Sequence, residues 1–136
     1  MRLVVDSSIL FAALIKDSDT RKIFSHRNFE CYIIPINYGE IAKYKKELMK
    51  KAKLNEASFD ILLDQLARTC IFVEDKVVFS KWREAKAIMW KIDPKDTPFI
   101  AAALALGADV WSDDGHFARQ KKVKVWKTAD LVKILK

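Results

Sequence analysis

Short apolar runs recur along the chain, at residues 3–5, 31–34, 71–73, 110–111 and 123–126. They have the length and the aliphatic or aromatic character of strands buried on both faces. The segments between them are longer and follow helical spacing instead. Val78, Trp82, Ala85, Met89 and Ile92 fall at i, i+4, i+7, i+11 and i+14, and Phe59, Leu62, Leu63, Leu66, Ala67 and Cys70 form a second apolar face. Such stripes pack into a core, and no cofactor role is assigned to Trp82, Trp90, Trp111 or Trp126. Strands alternating with helices predict an α/β fold around a mainly parallel, buried sheet. Nothing along the chain reads as a linker, a repeat or a low-complexity tract, so a single domain over residues 1–136 is expected.

Composition narrows the class. With 136 residues, 51% of them hydrophobic, the chain can bury a real core. No apolar stretch approaches the ~18 residues of a membrane span, and no basic segment leads into an apolar run and a cleavage site. A soluble, cytoplasmic protein without a membrane partner is expected. Cys31 and Cys70 show neither CxxC nor Cys/His spacing and read as reduced core thiols. The net charge of +7 favours a polyanionic partner. Abundant lysine with only three glycines and three prolines also suits a heat-adapted protein, so charge alone does not specify function.

The acids carry the candidate chemistry. Asp6 follows the first apolar run, where ligands of open α/β sheets bind, although Asp6, Ser7 and Ser8 would all serve as helix N-caps. Glu40 borders a stripe of Ile41, Tyr44 or Lys45, and Leu48. In "DPKDTPFIAAALALGADVWSDDGHF", Asp96 precedes Thr97, Pro98 and a small-residue helix ending at Gly107, and could cap it. Asp113 and Asp114 end the next apolar run in a sequence that also suits a turn, while Asp93 reads as a loop acid before Pro94. Each acid has an ordinary structural explanation. Gathered at one sheet edge, however, they would repel unless a hard cation lay between them, and oxygen donors of this kind suit Mg²⁺ or Mn²⁺.

In this order, "VVDSSIL", "NYGEI", "KDTPFIAAALALGA" and "SDDGHF" resemble the PIN domain nucleases, which include the VapC toxins of toxin-antitoxin pairs. The resemblance spans essentially the whole chain. It implies a three-layer α/β/α sandwich with a five-stranded, mainly parallel sheet. It also implies catalytic, metal-binding roles for Asp6, Glu40, Asp96 and Asp114, with Asp113 adjacent as a further metal ligand, Glu47 as the fallback for Glu40, and Ser8 and Ser112 as site-supporting residues. The implied activity is divalent-metal-dependent endoribonuclease cleavage by a metal-activated water, leaving a 5′ phosphate and a 3′ hydroxyl. RNA is then the substrate, an antitoxin protein the candidate partner and a homodimer the candidate assembly.

Lys43, Lys46, Lys50 and Lys53 lie at i, i+3, i+7 and i+10 from one another, and Lys121, Lys122, Lys124 and Lys127 crowd a later segment. Lys43, Lys46 and Lys50 are candidate RNA-backbone contacts, against the alternative of a solvated helix face. Competing functions are a non-catalytic RNA-binding or assembly module of the same family and a phosphoacceptor signalling domain, which lacks its usual early acid pair. Phosphate-loop nucleotide binding lacks a GxGxxG or GxxxxGK[ST] motif, and a triad hydrolase lacks a nucleophile motif around His26 or His116.

Overall fold

Alternation within the strands decides the layering. In β1 (Arg2–Val5), Leu3 and Val5 join one buried cluster and Val4 the other. β2 (Glu30–Ile33) divides in the same way, with Cys31 and Ile33 opposite Tyr32, and in β4 (Asp109–Trp111) Trp111 lies opposite Val110. A period of two with both faces apolar requires cover on both sides, which is how parallel sheets are buried. The structure, a computed structural model, describes residues 1–135.

With β3 (Cys70–Phe72) and β5 (Val125–Trp126), the strands form one five-stranded sheet of order β3-β2-β1-β4-β5. The sequence predicts a mainly parallel sheet, and every strand pairing among the described residues is parallel. One face is covered by α1 (Ser7–Ile15), α2 (Asp19–Ser25), α3 (Pro35–Ala52), α4 (Glu56–Arg68) and the C-terminal α8 (Thr128–Ile134). The other is covered by α5 (Asp75–Phe79), α6 (Trp82–Met89) and α7 (Thr97–Leu106). This is the expected α/β/α sandwich.

α7 shows how composition sets position. Phe99, Ile100 and the run Ala101, Ala102, Ala103 are all buried, and the short alanines allow the helix to pack closely. Gly107, at φ +61°, stops it in the left-handed conformation that glycine adopts without a Cβ penalty, and the chain turns directly into β4.

Two sequence readings change in detail. The stripe from Val78 to Met89 lies on two helices, with Ile92 in the turn beyond the second, and is interrupted at Ser80 and Lys81, where the Ser80 hydroxyl donates to the Val77 carbonyl at 2.6 Å. Val78, Ala85 and Met89 are still buried. Trp90 lies outside the stripe: one residue beyond Met89 turns the side chain about 100° around the helix, and it is 62% exposed. Cys31 and Cys70 face each other in register as free thiols, Cys31 buried and Cys70 half-buried on the edge strand. Burial raises the pKa of both, Cys70 to about 11, so neither is a ready nucleophile. Among the described residues, no helix is long and apolar enough to cross a membrane.

Candidate active site

Strand order locates the site. β1 pairs with β2 on one side and β4 on the other, so the chain winds in opposite directions from the β1/β4 pair. The crevice beyond the carboxyl ends of such a pair is the binding position of open α/β sheets. Asp6 leaves β1 there, Ser112 and Asp114 leave β4 there, and the Asp6 amide extends the pairing by donating to the Trp111 carbonyl at 3.1 Å.

Asp6 occupies the N-cap position of α1 but makes no side-chain capping bond. It is 7% exposed, and its Oδ2 accepts hydrogen bonds from Ser8 Oγ at 2.7 Å and Ser112 Oγ at 2.8 Å. Burial raises its pKa, the two hydroxyls oppose the rise, and the Asp114 charge adds to it. Ser112 is 1% exposed and also accepts from the Asp114 amide at 3.0 Å. One hydroxyl therefore ties the first acid to the backbone of the last.

Asp96 also sits at a helix N-cap, that of α7, without capping it. Its Oδ2 is buried and has no hydrogen-bond partner among the described residues. Burial, then the charges of Asp93, Asp6 and Asp114, push its pKa up to about 7, with His116 acting in the other direction. A carboxylate oxygen excluded from water and left unpartnered is costly unless something else completes it.

The two neighbours of Asp96 were not among the sequence candidates. Asp93 caps the short 3₁₀ turn Pro94–Asp96 by accepting from the Lys95 amide, and its Oδ2 lies 3.3 Å from His116 Nδ1. His116 Nδ1 is also 3.3 Å from Asp114 Oδ1, which accepts the His116 amide at 2.9 Å. In sequence, Asp93 is a loop acid before Pro94 and His116 a histidine without a nucleophile motif. The available signal was the i, i+3 spacing of Asp93 and Asp96 around Pro94.

Glu40 reaches this region indirectly. Its Oε1 accepts from Ser7 Oγ at 2.8 Å, and Ser7 Oγ accepts from Asn37 Nδ2 at 2.9 Å. Asn37, 1% exposed, also donates to the Val5 carbonyl and accepts the Ile34 amide, pinning the start of α3 to the end of β1. Sequence does not mark Ser7 and Asn37 as positioning residues, although Asn37 precedes Glu40 by one helical turn. The fallback Glu47 is a surface residue paired with Lys51 at 3.0 Å.

Asp113 is directed elsewhere. Its two oxygens accept from the backbone amide and hydroxyl of Thr128, both at 2.8 Å, so it secures the start of α8. Asp6, Asp96 and Asp114 lie near enough for their charges to act on one another, whereas Asp113, expected as a further metal ligand, is turned away to Thr128, because adjacent side chains at a strand end point to different sides. Lys43, Lys46 and Lys50 are exposed along α3, beginning one turn beyond Glu40.

A divalent cation fits the donor set. Single ligand atoms of Asp93, Asp96 and His116 lie within 4.8 Å of one another, Asp96 contributes an orphaned oxygen, and the surrounding donors are mainly hard carboxylates.

Comparison with known proteins agrees with this architecture. A family model described as a PIN domain matches residues 4–136. The crystal structure of VapBC2 from Rickettsia felis, bound to a DNA fragment from its promoter, aligns with a TM-score of 0.70 and 16% identity over 93% of this chain and 98% of that one. PAE2754 from Pyrobaculum aerophilum aligns with a TM-score of 0.71 and 16% identity over 99% of this chain and 89% of its own. At that identity the two structures speak for the fold alone. No curated protein matches the sequence.

Proposed function

The chain belongs to the PIN domain family, and from that premise we propose that it is a divalent-metal-dependent endoribonuclease. The observation that carries this reading is Asp96 Oδ2, buried without a partner among the described residues, on a carboxyl that feels the charges of Asp93, Asp6 and Asp114. Asp6, Asp96 and Asp114 would hold Mg²⁺ or Mn²⁺, with Asp93 and His116 at ligand distance of Asp96 and Glu40 tied to the end of β1 through Ser7. A bound ion supplies an activated water at neutral pH and offsets charge developing on the phosphoryl oxygens.

The protein's own groups prepare the site. Ser8 and Ser112 orient Asp6 through Oδ2, and Ser112 also fixes the turn presenting Asp114. Ser7 and Asn37 hold Glu40 against the end of β1. Asp96, with its pKa raised to about 7, exchanges a proton near neutral pH, so cation uptake there is coupled to proton release. Lys43, Lys46 and Lys50 give a single RNA strand a row of phosphate contacts beside Glu40.

The test is cleavage of end-labelled single-stranded RNA with Mg²⁺ or Mn²⁺, with and without chelator. Chelator-sensitive internal cuts bearing a 5′ phosphate and a 3′ hydroxyl are expected. RNA binding without cutting under any of these conditions would return the protein to a non-catalytic module of the same family.

The similarity to VapBC2 supports a second element, an antitoxin protein as partner. A small reading frame immediately upstream whose product co-purifies with this chain and suppresses its cleavage is the expected finding. A neighbouring product that neither binds nor inhibits would favour a stand-alone RNA-processing role.

A further inference from the structure

The four tryptophans have different surroundings. Trp111 is fully buried and its indole N–H donates to Thr128 Oγ1 at 3.0 Å, while half-buried Trp126 donates to Asp109 Oδ2 at 2.8 Å. Trp82 is half-buried and stacks edge-on with Phe79. Trp90 is 62% exposed and has no such packing role. It edges a shallow, open depression of about 380 Å³ lined by Arg83, Lys86, Ala87 and Trp90, with no acidic side chain in the lining.

Those residues lie at i, i+3, i+4 and i+7, on one outer face of α6 and its C-terminal cap. Lys86 Nζ lies 5.6 Å from the Trp90 ring centroid, and Ala87 leaves the floor between the cations and the indole low. The turn bearing Trp90 is also the one that delivers Asp93 to the acids. The Ile92 and Asp93 amides both donate to the Met89 carbonyl, at 3.0 and 3.1 Å. Trp90 and Asp93 are three positions apart in the chain, a Cα-to-Cα reach of at most about 11 Å.

We propose that Trp90, with Arg83 and Lys86, is a stacking platform for a nucleobase of a single-stranded RNA whose neighbouring phosphate enters the acidic site. An exposed aromatic face beside cations is the chemistry that binds single strands: bases stack on the ring and phosphates meet the positive side chains. A duplex keeps its bases stacked inside and offers this ring little. An acidic peptide would use the cations but not the indole face. The proposal rests on the nuclease reading for the direction of the strand, toward Asp93 and Asp96, and adds a subsite that selects unpaired substrate.

The experiment compares wild type, Trp90→Ala, Trp90→Phe and the double variant Arg83→Gln/Lys86→Gln in chelator, where binding is read without cleavage. Probes are short oligouridylate and oligoadenylate strands, an RNA duplex of equal length, and oligoglutamate. Trp90 is exposed, so its variants should retain the wild-type circular dichroism spectrum. Trp90→Ala should weaken single-strand binding about tenfold and lose part of the RNA-induced quenching of tryptophan emission. Trp90→Phe should retain most of the affinity, and duplex binding should be unchanged. The double variant should reduce the salt dependence of binding.

Single-strand affinity in Trp90→Ala equal to wild type would overturn the platform, as would equal losses for single strand and duplex, or quenching by oligoglutamate equal to that by RNA. Wild-type cleavage of the same strand with Mn²⁺ is scored separately. Cutting by wild type with unchanged binding in Trp90→Ala removes the platform alone. A Trp90-dependent binding loss without wild-type cutting supports the platform and removes the nuclease reading.

Discussion

Two groups of acids in this protein have opposite surroundings. On the outer face of α3 and α4, Lys45 Nζ lies 3.1 Å from Glu56 and 2.8 Å from Asp60, and Glu47 and Asp64 pair with Lys51 and Arg68, each at 3.0 Å. At the carboxyl ends of β1 and β4, Asp6, Asp93, Asp96 and Asp114 form no ion pair with any Lys or Arg among the described residues; only His116 contacts Asp93 and Asp114. A chain with net charge +7 has cations to spare, yet no described Lys or Arg neutralises this site. Surface pairs in water contribute little to stability, whereas gathered and partly buried carboxylates are destabilising until a cation or a proton joins them. The difference separates acids that decorate a surface from acids arranged to receive something.

The largest expected effect breaks the arranged group. Asp6→Asn and Asp96→Asn should each lower RNA cleavage by more than about 100-fold, since outer-shell partners alone account for 10- to 100-fold, and should weaken Mn²⁺ binding by calorimetry. Asp60→Asn, from the surface group, should leave both at wild-type levels. Equal Mn²⁺ affinity in wild type and Asp6→Asn would remove the metal assignment.

Next come the adjacent acids with different directions. Asp114→Asn should approach the loss seen for Asp6→Asn. Asp113→Asn should cleave nearly as wild type and lose stability by about 1 kcal/mol through its bonds to Thr128 at the start of α8. Single-turnover cleavage across a Mn²⁺ titration, together with denaturant melts, separates the two. Greater catalytic damage from Asp113→Asn would reverse their roles.

A smaller effect is expected from the hydroxyl linking the two acids. Ser112→Ala should lower cleavage or metal affinity by about 10- to 100-fold while the protein stays folded; an unchanged rate would show that Asp6 is oriented without it. For substrate electrostatics, replacing Lys43, Lys46 and Lys50 with glutamine should flatten the salt dependence of single-strand binding by about 2 in log-log slope, with Mn²⁺ affinity retained. An unchanged slope would make these lysines a solvated helix face.

A separate effect, which leaves cleavage aside, is on pH-dependent stability without metal. The Asp96 carboxyl goes from an ordinary 3.8 in the unfolded chain to about 7 in the fold, so folding favours its protonated form. Its stabilising contribution is complete below the unfolded value and is lost as pH rises toward 7. In chelator, wild type should therefore melt at progressively lower temperature between about pH 4 and pH 7. Asp96→Asn should show a flatter profile and the higher melting temperature at neutral pH. Parallel profiles would show that Asp96 does not carry this titration.

Much of the fold was legible because burial leaves a periodic mark. The five apolar runs became the five strands with ends shifted by a residue or two, and the Phe59 and Val78 stripes became buried helix faces, the latter divided where Ser80 and Lys81 interrupt the helix. Of the candidate acids, Asp6, Asp96 and Asp114 could be marked from local sequence because each stands where an apolar element begins or ends. Asp93, His116, Ser7 and Asn37 left no comparable mark. Each also fits an ordinary local environment, and its part in the site depends on a neighbour distant in sequence.

Sequence alone determined the alternation of strand and helix, the two-sided burial of the sheet and the three acids at element boundaries, since these follow from period and polarity within short windows. Tertiary structure decided which boundaries meet. The order β3-β2-β1-β4-β5 brings the loop after residue 5 against the loop after residue 111, and a hydroxyl spans them. It also left Asp96 with an oxygen that has no hydrogen-bond partner among the described residues, turned Asp113 toward α8 and left Trp90 in the open. Local pattern determines which face of an element is apolar, but the partner of a polar side chain is set by the path of the whole chain.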